Sequence, residues 1–164
     1  MEFKICSFAV RGHEETSSYN ELVEKTGLTE METAKWKEVQ EKIYLPRKEG
    51  TKLLEQFEGY FELDNVTIEK YDENDWPIRP EALKTKKAKE TQINKQADVV
   101  MLLHLMGNEF DDETIKENYA YYEKRTLHGS SLSPSIYSVM GLKVGDDSKA
   151  YRYLRRAAFI DLLN

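Results

Sequence analysis

Cysteine occurs once, at Cys6, which excludes an internal disulfide and points to a reducing compartment. Long apolar runs are missing. The longest, Val99 to Leu103, falls far short of the roughly 18 to 20 residues that span a bilayer, so no membrane span is expected. The opening stretch Met1 to Val10, with Glu2 and Lys4 in it, is too short and polar for the apolar core of a secretory leader. These absences predict a cytoplasmic protein. Positive charge is in deficit, 24 Lys and Arg against 30 Asp and Glu for a net charge of -6, which excludes a general affinity for nucleic acid. Histidine is limited to His13, His104 and His128, none with a second histidine at ligand spacing, so neither a metal site nor a resident cofactor is expected. Nothing brings these histidines to Cys6, which reads as a small buried hydrophobe.

Glycine and proline are also scarce, 8 and 4 in 164 residues, and they cluster, as in a mainly helical chain. A chain of this length can bury a core, removing roughly two thirds of its unfolded surface from water, and one domain over 1–164 is expected. It is nonetheless modest for an enzyme that must surround a substrate.

The glycines and prolines serve as punctuation. A first helix is expected over Glu2 to Val10, ending near Gly12, and a second over Tyr19 to Lys25, closed by Gly27. Thr29 and Glu32 have the spacing of a capping box. Behind them Met31, Trp36, Val39 and Ile43 share a face, predicting an amphipathic helix over Glu30 to Ile43 that ends before Pro46.

The helical period disappears between Leu45 and Pro80. That stretch reads as a long loop with at most one short strand, and loops of such length are usually functional or disordered. Phe57, Tyr60, Phe61, Tyr71 and Trp76 argue against disorder, because they carry too much apolar surface to leave in water. Six acids between Glu62 and Asp75 are followed by Lys84, Lys86, Lys87, Lys89 and Lys95. The two stretches read as complementary or solvated, with an anion site as the alternative.

Helices are expected to fill residues 91–164. Ile93 to Met106 is apolar around most of its girth and belongs in an interior; where uncovered, it invites self-association. Asp111 or Asp112 caps a helix through Ile115, Tyr119 and Tyr122. Ser133 before Pro134 signals the start of another, over Ile136, Tyr137 and Met140 to Gly141. Asp146 or Asp147 opens the last, with Ala150, Leu154, Ala157 and Ala158 on its inner face. Short connections predict stacked antiparallel helical hairpins. No period of about 34 residues runs through the chain, so a helical repeat array is disfavoured.

Two constellations could carry chemistry. Lys95, Gln96 and Asp98 set a cation, an amide and a carboxylate at the start of the most apolar segment. They suit a network of sugar hydroxyls, or Lys95 pairs with Asp98 while Gln96 bonds backbone. Thr126 to Pro134 places His128, Gly129, Ser130 and Ser131 just before a helix start. Free N–H groups, hydroxyls and the positive helix end make an anion receptor, to which His128 adds a donor; the plain alternative is a serine-rich turn. The glycine spacing fits neither a Walker loop nor a nucleophile elbow.

Glu55 to Phe61, Lys95 to Val99 and Thr126 to Ser135 resemble, in that order, the disaccharide phosphorylases of glycoside hydrolase family 65. The likeness covers roughly residues 19 to 164, with Lys42 to Pro46 and Ala150 to Leu162 fitting as flanks. It implies part of an (α/α)6 toroid, six inner and six outer helices. It also implies inverting phosphorolysis of an α-linked glucose disaccharide. A carboxylic acid protonates the glycosidic oxygen while inorganic phosphate attacks the anomeric carbon, giving β-glucose 1-phosphate and glucose. By this resemblance Lys95 and Gln96 contact the sugar, and His128, Gly129, Ser130 and Ser131 line the phosphate side. In the family the general acid is a glutamate in a segment upstream of anything seen here, so the resemblance assigns no catalytic residue. Tyr137 stands where many members have histidine. The implied protein is a slice of the catalytic domain, inactive alone; the alternative is a sugar-binding or interaction module without catalysis.

Overall fold

The computed structural model describes residues 24–160, and the chain divides into two compact units that meet in sequence between Leu45 and Pro46. The expected helix Glu2 to Val10, with Cys6, Gly12 and His13, lies outside the described residues. In the first unit residues 24–26 are helical, and Gly27 follows at φ 68, a left-handed turn that suits glycine. Helix α1, Glu30–Lys42, opens on the expected capping box. Glu32 N donates to Thr29 Oγ1 at 3.3 Å and Thr29 N to Glu32 Oε2 at 2.9 Å. Met31, Trp36, Val39 and Ile43, the expected inner stripe, are exposed.

Among the described residues the second unit holds four further helices: α2 (Asp98–Leu105), α3 (Asp112–Glu123), α4 (Leu132–Val144) and α5 (Asp147–Phe159). Asp111 caps α3 by accepting from Thr114 N at 2.7 Å, and Asp146 caps α5 by accepting from Lys149 N at 3.1 Å. Helices α4 and α5 fold back on each other around Gly145, which ends α4 at φ 83. Gly141, the expected end of that helix, instead lies inside it. A Cβ there would stand 3.1 Å from the Cα and Cβ of Ala150 and from the Tyr119 hydroxyl, so its lack of a side chain lets α5 approach. Antiparallel packing is expected from so short a connection, and Ser138 Oγ donates across it to Ala150 O at 2.9 Å.

The inner face of α5 differs from the expected one. Ala150, Tyr153 and Arg156 are buried, whereas Leu154 and Ala158 are exposed. A tyrosine row runs through this core, with Tyr119 to Tyr137 at 5.6 Å and Tyr137 to Tyr153 at 5.5 Å between ring centres.

Residues 46–97 form the long irregular segment, broken by single turns at Tyr60–Glu62, Glu81–Lys84 and Ala88–Glu90. Among the described residues it holds isolated bridges and no strand. Ile68, Leu83 and Ile93 make a small core of their own, flanked by Val66, Tyr71 and Leu127. Asn118 of α3, fully buried, clamps the segment. It accepts from Leu54 N and donates to the carbonyls of Lys52 and Thr114, each at 2.8 Å. Between the acidic and basic stretches, Lys86 pairs with Asp64.

Candidate functional site

The expected helix Ile93 to Met106 begins five residues later, at Asp98, because its first residues pair sideways instead. Asn94 and Thr126 form a parallel bridge: Asn94 N donates to Arg125 O at 2.7 Å and Leu127 N to Asn94 O at 2.8 Å. The ladder continues with Gly129 N donating to Lys95 O at 3.2 Å. Lys95 and Gln96 are thereby set beside the loop of His128 to Ser131. Gly129 has no side chain to obstruct the Lys95 stem, whose Cγ would lie 3.5 Å from a Cβ at that position. Lys95 is exposed and Gln96 half-buried. Asp98 does not pair with Lys95; its Oδ2 accepts from Gln56 Nε2 at 2.8 Å.

That last bond ties the aromatic segment to the same place. Tyr60, buried, donates through its hydroxyl to Gln92 O and accepts from Asn94 Nδ2 at 3.2 Å, one residue before Lys95. The three sequence stretches, 55–61, 94–98 and 126–133, thus converge. Beside them Gln96, Ala97, Asp98, Met101, Leu132 and Ser133 line an open cavity of about 300 Å³.

The loop itself departs from expectation at two points. Helix α4 starts at Leu132, two residues early, with Ser131 as its cap position and no side-chain cap bond. Ser133, expected to cap, is buried and its hydroxyl lies 2.8 Å from His128 Nδ1. His128 is buried as well, so its side chain is no surface donor for an anion. Its protonation form follows from its partners. Tyr153 Oη donates to Glu123 Oε1 at 2.9 Å, so at 3.1 Å it can only accept from His128 Nε2. Nδ1 is then the unprotonated nitrogen, accepting from Ser133. Burial, with the charges of Arg156 and Arg152 adding to it, pushes the His128 pKa down to about 3 and keeps the ring neutral. Its backbone has φ 52, a left-handed conformation that histidine tolerates better than most residues. The chain of bonds ends at Lys149 Nζ, 3.0 Å from Glu123 Oε2.

Three loop N–H groups are occupied: Gly129 by Lys95 O, Leu132 by Ser130 Oγ at 3.2 Å and Ser133 by Ser130 O at 3.4 Å. Ser130 is half-buried, and Gly129 and Ser131 are exposed at the start of α4. Among the described residues no three of His, Cys, Asp and Glu gather into a metal-binding group. The support under the loop, Glu123, Lys149 and Tyr153, was not found by sequence reasoning. The available signal was Tyr153 lying on the same helical face as Ala150 and Ala157.

Comparison with known proteins finds relatives along most of the chain. A kojibiose phosphorylase of Thermoanaerobacter brockii is 54% identical over 146 residues, 89% of this chain and 19% of the relative. One from Caldanaerobacter subterraneus subsp. tengcongensis is 56% identical over 144 residues, with 88% and 19% covered. A 1,2-alpha-glucosylglycerol phosphorylase of Bacillus selenitireducens is 36% identical over 147 residues, with 86% and 19% covered. Among solved structures, a human-microbiome protein assigned as a kojibiose phosphorylase superposes with a TM-score of 0.74 at 31% identity, over 97% of this chain and 21% of that one. The helical hairpins are accordingly part of an (α/α)6 toroid. The chain spans about a fifth of the length of the curated relatives it matches. With residues 5–164 matching the model of the glycosyl hydrolase family 65 central catalytic domain, the chain belongs to that family.

Proposed function

We propose that this chain forms the part of an inverting disaccharide phosphorylase at which a glucose unit meets inorganic phosphate. The observation that carries this reading is the ladder from Asn94 to Gly129, which sets Lys95 and Gln96 against the loop before α4. The Lys95 ammonium and the Gln96 amide serve as hydrogen-bonding groups for sugar hydroxyls. The Ser130 and Ser131 side chains, at the positive end of α4 and beside Gly129, receive phosphate. His128 holds this loop from below through Ser133 rather than touching the anion.

In the reaction a phosphate oxygen attacks the anomeric carbon as the glycosidic oxygen leaves with a proton, inverting the centre to β-glucose 1-phosphate and freeing the second sugar. The family resemblance gives the acid's role to no residue of this chain, so we assign that proton to another segment of the family's longer polypeptide. The chain alone is then a binding part with little or no turnover, working in the cytoplasm in association with the rest of the toroid. Kojibiose is the first disaccharide to test, since relatives 54% and 56% identical over 146 and 144 residues are kojibiose phosphorylases.

Calorimetric titration of the chain with glucose and with phosphate provides the test. Saturable binding of both is expected, with the phosphate isotherm weakened in Ser130→Ala/Ser131→Ala. Binding of neither ligand, or ready turnover of kojibiose by the chain alone, sinks the reading.

A further inference from the structure

The last turns of α5 carry Arg152, Arg155 and Arg156, and with Glu73, Asp75 and Trp76 they line a second cavity, of about 270 Å³. It shares no lining residue with the cavity beside Gln96. Two buried arginines of this protein invite comparison. Arg125 stacks 3.7 Å from the centre of the Tyr121 ring, and its Nε and Nη2 both donate to Asn65 Oδ1, at 3.2 and 2.7 Å. Arg156 stacks in the same manner, 3.9 Å from the Trp76 ring, and is 5% exposed. Its Nε and Nη2, the same edge of the guanidinium, have no hydrogen-bond partner among the described residues.

That edge is the side-on fork that matches two oxygens of one carboxylate or phosphate. A buried guanidinium edge left empty is costly, so an acceptor is the missing element. Asp75 Oδ1 lies 3.6 Å from Arg152 Nη1, and Glu73 is the other acid of the lining. Asp72 also acts on Arg156 by its charge, so three guanidinium groups face three carboxylates, and the case for an anion rests on the open Arg156 edge rather than on net charge.

We propose that this cavity binds an oxyanion, which presents two oxygens to the Nε and Nη2 edge of Arg156 and a face to Arg155. Both Arg156 atoms are closed to bulk water, so entry displaces a side chain at the rim, where Arg155 and Phe159 are exposed. The ligand is a free phosphate group or a carboxylate; the two share this recognition and differ in geometry and charge. The site stands independently of the function proposed above.

Trp76 makes the site readable, because it touches Arg156 and the chain has just one other tryptophan, Trp36. In a Trp36→Phe background, inorganic phosphate and acetate are titrated while Trp76 emission is followed, with sodium chloride at matched ionic strength. A saturable change with phosphate, weakened about ten-fold or more in Arg156→Lys, which keeps charge and loses the fork, is the expected result. Saturation with acetate alone identifies the ligand as a carboxylate. Should Arg156→Lys fail to fold by circular dichroism, Arg155→Ala at its exposed position decides, with a smaller weakening expected. The proposal is overturned by no saturable change with either anion, by an equal change with chloride, or by affinities unaltered in the folded variants. It is also overturned if Ser130→Ala/Ser131→Ala abolishes the Trp76 signal, which would place the responding anion at the other site.

Discussion

The hydroxyl of Tyr153 lies 3.1 Å from His128 Nε2 and hands its own proton to Glu123, so a residue of α5 fixes which nitrogen of a loop histidine is protonated. Removing that oxygen by Tyr153→Phe leaves the Nε2 proton of His128 and one Glu123 oxygen buried without a partner. A loss of about 1–3 kcal/mol is expected, read as a lower urea midpoint with unchanged slope. Tyr119 is the internal comparison. Its buried hydroxyl has no partner among the described residues, so Tyr119→Phe removes an unmet polar group and should leave stability unchanged or slightly higher. Equal losses in the two variants would mean that ring packing, rather than the hydrogen-bond chain, sets the cost.

The depressed pKa of His128 makes stability depend on pH in a definite direction. In the unfolded chain the ring takes up a proton near its ordinary value of 6.5, whereas in the folded protein it does so near 3. Above the unfolded value neither state is protonated and this group contributes no slope. As pH falls through the interval between the two values, the unfolded state alone gains the proton. Stability then drops by up to about 1.4 kcal/mol per pH unit. His128→Asn, which accepts the left-handed backbone, should lose that component of the slope while being less stable at neutral pH. Urea unfolding of both proteins across the acid range measures it; parallel slopes would show that His128 titrates normally.

Sequence patterns revealed the fold where one local rule decided, and failed where distant partners did. The capping box at Thr29 and Glu32 and the caps at Asp111 and Asp146 are short-range and are formed as expected. Ser133 has every mark of a cap, yet its hydroxyl goes to His128 and the cap position falls two residues earlier, at Ser131. Ile93 and Ala97 open an apolar helical spacing that runs to Met106, but the pairing of Asn94 with Thr126 keeps the first residues out of the helix, across a sequence separation no periodicity can report. For the site, residue type pointed to Lys95, Gln96 and the serines. The burial of His128 depends on Tyr137 and Tyr153 from two later helices, with ring centres both 4.7 Å away.

Gly141 shows the same tension between local preference and packing. In an isolated helix Gly→Ala gains about 1 kcal/mol. Here the added methyl meets the Ala150 Cα and Cβ and the Tyr119 hydroxyl at 3.1 Å, and overpacking of that kind costs about 1–3 kcal/mol. The contact with backbone cannot be relieved by a rotamer change, so Gly141→Ala should destabilise by about 1 kcal/mol. Thermal unfolding is the check, and a raised midpoint would show that α4 and α5 can separate slightly without loss.

Lys95 and the serine pair separate the two halves of the proposed site, because the structure joins them through backbone rather than side chains. The Gly129 N–H to Lys95 carbonyl bond survives truncation of Lys95 beyond Cβ, so the loop should stay in place in Lys95→Ala. Lys95 carries an exposed ammonium, and its loss should weaken glucose binding about ten-fold while phosphate affinity changes less. Ser130→Ala/Ser131→Ala removes hydroxyls on the other side of the ladder and should do the reverse. Its stability cost should be small, since of the two hydroxyls it is Ser130's that accepts from Leu132 N. Calorimetry of both variants with both ligands gives four affinities. Equal weakening of glucose and phosphate in each variant would show that the substitutions act through the shared backbone ladder, and the division of roles between Lys95 and the serines would then be wrong.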